Sequence, residues 1–170
     1  MEAAYYTAQL NKNKQVFEAL LKGLSPAEYR FKVNPEDWCI LEIVCHLYDE
    51  EREDFRCRVE SILADPSRPL PPADPVSWAK TRNYMDEDFD NKVSAFLAER
   101  RKSVDWLQSL RNAKWDNSYM HPKIGAVPAS LILTNWVIHD HLHIKQITRR
   151  KYEYIEQNAS DPIDYAGKWV

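Results

Sequence analysis

SLILTNWVIHDHLHIKQITRR, residues 130–150, contains neither glycine nor proline, and its apolar side chains recur three and four positions apart. That period belongs to an α-helix. Pro128 just upstream suits a first turn, because proline presets the helical φ and its missing N–H costs nothing there. Apolar residues cover nearly every face of SLILTNWVIH, which predicts the most buried helix of the molecule. The helix also carries three histidines, at 139, 141 and 143. Residues four apart lie one turn above each other, so His139 and His143 point together. His141, about 200° round from His139 at 100° per residue, points away. Ile132, Trp136 and Gln146 share the His139/His143 face, so the pair sits against a dry wall with one amide in reach.

The rest of the chain repeats the helical period. Tyr6, Leu10, Phe17, Leu20 and Leu21 mark a first helix over 4–21, and Gly23 stops it. Residues 25–38 hold two prolines and read as a connector with one short turn at most. A second helix runs over 40–63, with Ile40, Ile43, Val44, Leu47, Phe55, Val59 and Ile62 inward; Cys39 takes the N-cap position and Glu42 half of a capping box. Asp65–Pro66 ends it. A third runs over 87–110 on Phe89, Val93, Phe96, Leu97, Val104 and Leu107. Residues 112–126 read as a loop, and residues 158–170 as an extended tail. The fold expected is therefore all-α, one four-helix domain spanning residues 1–170, without internal repeats.

Between the second and third helices, residues 65–84 carry five prolines. A connection of that length inside one domain needs a reason. A helix of about 24 residues is about 36 Å long, and a proline-stiffened strand can run back along it. The second and third helices are thus expected to be parallel, joined by a long crossover.

Composition narrows the function. Three glycines in 170 residues, with no glycine-rich fingerprint, argue against a phosphate loop or a dinucleotide site. A net charge of −3 without a basic stripe argues against nucleic acid. No apolar run approaches the roughly 18 residues of a membrane span, and the first residues do not resemble a signal peptide. Cys39, Cys45 and Cys57 form an odd, unpaired set, as expected of reduced thiols in the cytoplasm.

His46 is the remaining histidine placed on a helix, the second, aligned with Glu42, Glu50, Glu53 and Cys57 along the border of the apolar stripe. Bundle metal sites are assembled from facing helices, and three imidazoles leave coordination positions open. His46, His139 and His143 are therefore the candidate ligands of one divalent ion. Each has a plainer reading: an HxxxH pair also suits packed core histidines, and His46 alone a packed or surface residue. Glu50 and Glu53 read most simply as a solvated face, Cys57 as a small core residue, and His121 and His141 as exposed.

WCILEIVCHLYDEEREDFRCRVESIL (38–63), with its HLxDxE pattern, and residues 130–150, with WxxHDxxHxxQ, together resemble the DinB/YfiT-like metalloenzyme family. DPVSWAKTRNYMDEDF, FLAERRKSVDWLQSL and the closing DYAGKW extend the resemblance over residues 38–169. It departs at Cys39, where a serine cap is usual, and at His141, where an aliphatic residue is usual. The resemblance implies a four-helix bundle of up-down-down-up order, in agreement with the crossover. It also implies zinc, nickel or iron on His46, His139 and His143, and a homodimer. Characterised relatives include thiol S-transferases and an isomerase that use a low-molecular-weight thiol. The leading functional expectation is a metal-dependent thiol S-transferase acting on a small-molecule substrate, with Glu50 orienting a ligand or moving a proton. A hydrolase using metal-bound water and a non-catalytic dimeric metal-binding or stress-response module are the alternatives.

Overall fold

The computed structural model describes residues 2–163, 165, 167 and 169. The first bundle helix is α1 (Ala3–Leu21); Gly23 then takes a left-handed φ of 74°, which turns the chain out of the helix at little steric cost. A short α2 (Pro26–Tyr29) follows, closed by a reciprocal Ser25–Glu28 capping box. The second bundle helix has three parts. These are α3 (Ile40–Asp49), a π-helical turn (Glu50–Phe55) and α4 (Arg56–Ala64). Cys39 is its N-cap, with its backbone N–H donating to Glu42 Oε2 at 2.9 Å. The crossover contains α5 (Pro75–Thr81) and a 3-10 turn (Tyr84–Asp86). The third bundle helix is α6 (Phe89–Ser109), capped by Asp88. Strands β1 (Ser118–His121) and β2 (Gly125–Pro128) precede the fourth, α7 (Ala129–Asn158).

Side-chain pairs give the helix directions. Asn13 meets Asp140 and Lys151 meets the Leu20 carbonyl, so α1 and α7 are parallel. Phe17 packs on Phe96 and Arg100 reaches the Leu10 carbonyl, so α1 and α6 are antiparallel. Lys92 lies over Tyr48, and Arg56 binds Glu99 and Ser103, so the second and third bundle helices are parallel. Phe55 stacks on Trp136 while His46 faces His139 and His143, so the second and fourth are antiparallel. This is the up-down-down-up order. The core holds Leu10, Phe17, Ile43, Val44, Phe96 and Ile147 without solvent contact, each burial stabilising by about 1.5–3 kcal/mol.

Several expectations need correction. Residues 112–126 are not all loop, because β1 and β2 pair antiparallel with His121 opposite Gly125. Four-residue strands leave too short a period to read. They are fixed instead by backbone bonds from Ala129 to Asn117 and from Ser130 to Trp115. Pro128 is the N-cap of α7 rather than part of its first turn. The fourth helix is not buried on every face, since Leu131, Ile138 and Leu142 are exposed on its outer side; α1 and the second bundle helix cover one flank only. The tail begins after Asn158, where α7 ends; of the residues read there as extended, Asp164, Ala166, Lys168 and Val170 lie outside the described residues.

Candidate metal centre

In an α-helix, residues five apart point about 140° away from each other. An i→i+5 turn stacks them instead. The π-turn after His46 runs from Glu50 to Phe55, and both of these residues are buried. Phe55 is set against the His139 ring, with centroids 5.0 Å apart, and it stacks on Trp136. Trp38 covers His46 at 4.9 Å from the connector side. Aromatic rings thus enclose the imidazoles on two sides.

The three histidines expected from the sequence converge. Their ring nitrogens come together from facing helices within 4.8 Å of one another. His139 Nε2 stands 3.2 Å from His46 Nε2 and 3.1 Å from His143 Nε2. Gln146 Oε1 lies 2.8 Å from His143 Nδ1. A carbonyl oxygen only accepts, so Nδ1 carries the proton and the Nε2 lone pair of His143 faces its neighbours. Burial, followed by repulsion from His143, pushes the His46 pKa down to about 3. Burial and the neighbouring imidazoles push His139 down to about 2. Burial lowers His143 too, against the opposing pull of Gln146 and Asp140. All three rings are neutral at pH 7, the form that ligates metal.

The donor set fits a cation. With imidazole nitrogens about 2.0–2.1 Å from zinc, separations of this size subtend about 100° at the ion, between octahedral and tetrahedral values. One hydrogen serves one nitrogen–nitrogen contact well, whereas one cation serves three lone pairs. Imidazole sets of this kind suit zinc, nickel, iron and copper.

Glu50 stands apart from this set, and it is buried rather than on a solvated face. Burial, then the neighbouring Asp54 carboxylate, raises its pKa to about 8, so it holds a proton at neutral pH. Glu53 is partly exposed and holds Arg82 through two bonds of 3.0 and 2.7 Å. Cys57 is half-buried. His141 is exposed. His121 is half-buried in the hairpin turn, where its Nδ1 accepts the N–H groups of Lys123 and Ile124.

Beside the histidines lies a buried ionic network that the sequence reading missed. Arg100 on α6 grips Glu51 from the π-turn and Asp140 from α7. Asn13 adds a bond to Asp140, and Trp136 Nε1 one to Glu51. A signal was there to find. Arg100 stands in line with Phe96 and Val104, four residues either way, where a helix buries its apolar stripe. Asp140 directly follows His139.

Among the described residues no helix is long and apolar enough to cross a membrane. A family model described as the DinB superfamily matches residues 9–147. Among solved structures, YfiT from Bacillus subtilis is described as "a probable metal-dependent hydrolase with an unusual four-helix bundle topology". It superposes with a TM-score of 0.78 at 16% identity, covering 89% of this chain and 87% of its own. At that identity the likeness speaks for the fold. A search among curated proteins finds no significant match.

Proposed function

This chain belongs to the DinB superfamily, and on that footing we propose that it binds one divalent cation through His46, His139 and His143 and uses it to activate a small nucleophile. The observation that carries this reading is the convergence of three neutral imidazole nitrogens, one of them oriented by Gln146. Such an ion supplies Lewis-acid chemistry, acidifying a water or thiol placed on its open positions.

The finer reading is a thiol S-transferase with a low-molecular-weight thiol as co-substrate. The chain's own cysteines support an external thiol. Burial raises Cys39 to about 11 and Cys45 to about 12, and Cys57 is raised as well, so none offers thiolate at neutral pH. The enclosing rings of Trp38, Phe55 and Trp136 exclude water and favour an apolar, electrophilic small molecule beside the site. Glu50, protonated at neutral pH, can hand a proton to a leaving group one turn from His46. The description of YfiT supports a second reading, in which water is the nucleophile.

We also propose a homodimer; the exposed Leu131, Ile138 and Leu142 on one face of α7 support it. The deciding experiment is elemental analysis of the purified protein, followed by a thiol-conjugation panel against an ester and amide panel with metal-loaded protein. Metal at one equivalent with thiol-dependent turnover supports the proposal. Metal-free protein that takes up neither zinc nor nickel refutes it.

A further inference from the structure

The three ligands come from two helices that run in opposite directions, and the one contact among their own rings across those helices, His46 Nε2 to His139 Nε2 at 3.2 Å, joins two nitrogens whose lone pairs a bound ion would take up. The bond from Gln146 to His143 lies within α7. Arg100 adds a charged tie from a third helix. Its Nε and Nη2 donate to the two Glu51 carboxylate oxygens at 2.9 and 2.8 Å. Its Nη1 and Nη2 donate to the two Asp140 oxygens at 2.6 and 2.7 Å. Glu51 follows His46 by five residues on the second bundle helix, and Asp140 directly follows His139 on the fourth. All three side chains are at most 1% exposed. A planar guanidinium with two bidentate partners has one favourable arrangement, so it sets the separation of the two ligand-bearing helices at the level of the site. Glu51 also accepts from Trp136 Nε1 at 3.0 Å. Trp136 stacks on Phe55, and Phe55 walls His139, so the same carboxylate fixes the aromatic side of the centre.

We propose that Arg100, Glu51 and Asp140 are positioning residues for the metal centre: the guanidinium clamp holds His46 in register with His139 and His143. The inference rests on the metal reading above and goes beyond it, because none of the three touches the ion. Residues that orient metal ligands from outside typically contribute 10–100-fold in metal affinity.

The test uses cobalt(II), whose visible absorption reports coordination geometry. The variant Arg100→Met/Glu51→Gln/Asp140→Asn removes every charge of the clamp at similar volume, so no carboxylate is left buried and unpaired. Its cobalt affinity, measured by competition with a chelating dye, is expected to fall 10–100-fold. Its absorption at saturating cobalt is expected to change in position or intensity. Arg100→Lys keeps the charge without the fork and is expected to lie between; it carries the test if the triple variant does not fold. Ile62→Val, a change in the core of α4, lowers stability by another route and is expected to leave affinity and spectrum as in the wild type. Folded clamp variants with wild-type affinity and spectrum would overturn the proposal, because a packing role alone moves stability and not ligand field. Wild-type protein that takes up no cobalt would instead overturn the metal reading itself, and the clamp proposal with it.

Discussion

Replacing Arg100 by alanine should cost about 3–5 kcal/mol of folding stability, the usual cost of removing one partner from a buried ion pair. The structure places the change within that range. Glu51 is 1% and Asp140 0% exposed, and the guanidinium makes four bonds to them of 2.6 to 2.9 Å. The variant strands two carboxylates beside each other, each keeping one neutral donor, Trp136 Nε1 or Asn13 Nδ2. Against a total of about 5–15 kcal/mol for an ordinary domain, this is a large fraction. The stranded pair should also change the pH dependence. Desolvation and mutual repulsion raise carboxylate pKa values in the folded state. Stability from such groups is present at low pH and lost as pH rises through the raised value. The Arg100→Ala protein should therefore recover stability between pH 8 and pH 5 relative to wild type. Urea unfolding followed by circular dichroism at several pH values measures both effects, with a constant m-value guarding the two-state comparison. The charge-free triple variant should lose clearly less than Arg100→Ala. An Arg100→Ala protein within about 1 kcal/mol of wild type at pH 7.5, well below the usual cost of breaking such a pair, would refute the reasoning. So would a triple variant that loses just as much.

Four further outcomes are expected. His139→Ala and His143→Ala should abolish stoichiometric metal and His46→Ala should weaken it severely, whereas His141→Ala should leave calorimetric zinc and nickel titrations nearly intact. Gln146→Leu frees the His143 ring and should weaken zinc binding about 10–100-fold, read by chelator competition. Glu50→Gln should match wild-type stability near pH 4 and exceed it progressively up to about pH 8. The raised Glu50 pKa, about 8 against an ordinary 4.5, makes the wild type lose stability as pH rises, at about 1.4 kcal/mol per unit across that window, while glutamine stays neutral. Light scattering should find a dimer, and Ile138→Glu should yield a folded monomer; a wild-type monomer at high concentration would count against the pairing.

Much of the site was legible because it depends on helical period alone. HDHLH on a helix puts His139 and His143 on one face and His141 on the other, whatever surrounds them, and a period of 3.6 sends Gln146 to the same side. The proline-rich crossover likewise predicted parallel second and third helices, and the structure has them. Glu50 was the harder residue. Four positions after His46, it read as part of a solvated edge, yet it is buried. Its environment is set by the π-turn, and nothing in EEREDF distinguishes that turn from an ordinary helical one.

Sequence by itself determined the four helices, the parallel run of the second and third, and the pairing of His139 with His143, because these follow from local spacing and from the reach of a linker. Tertiary structure alone decided that His46 stands 3.2 Å from His139, that Arg100 joins Glu51 to Asp140, and that Leu131, Ile138 and Leu142 face outward. Each of these depends on how far one helix is rotated and shifted against another. That offset comes from the packing of whole faces against one another, so no window along the chain encodes it.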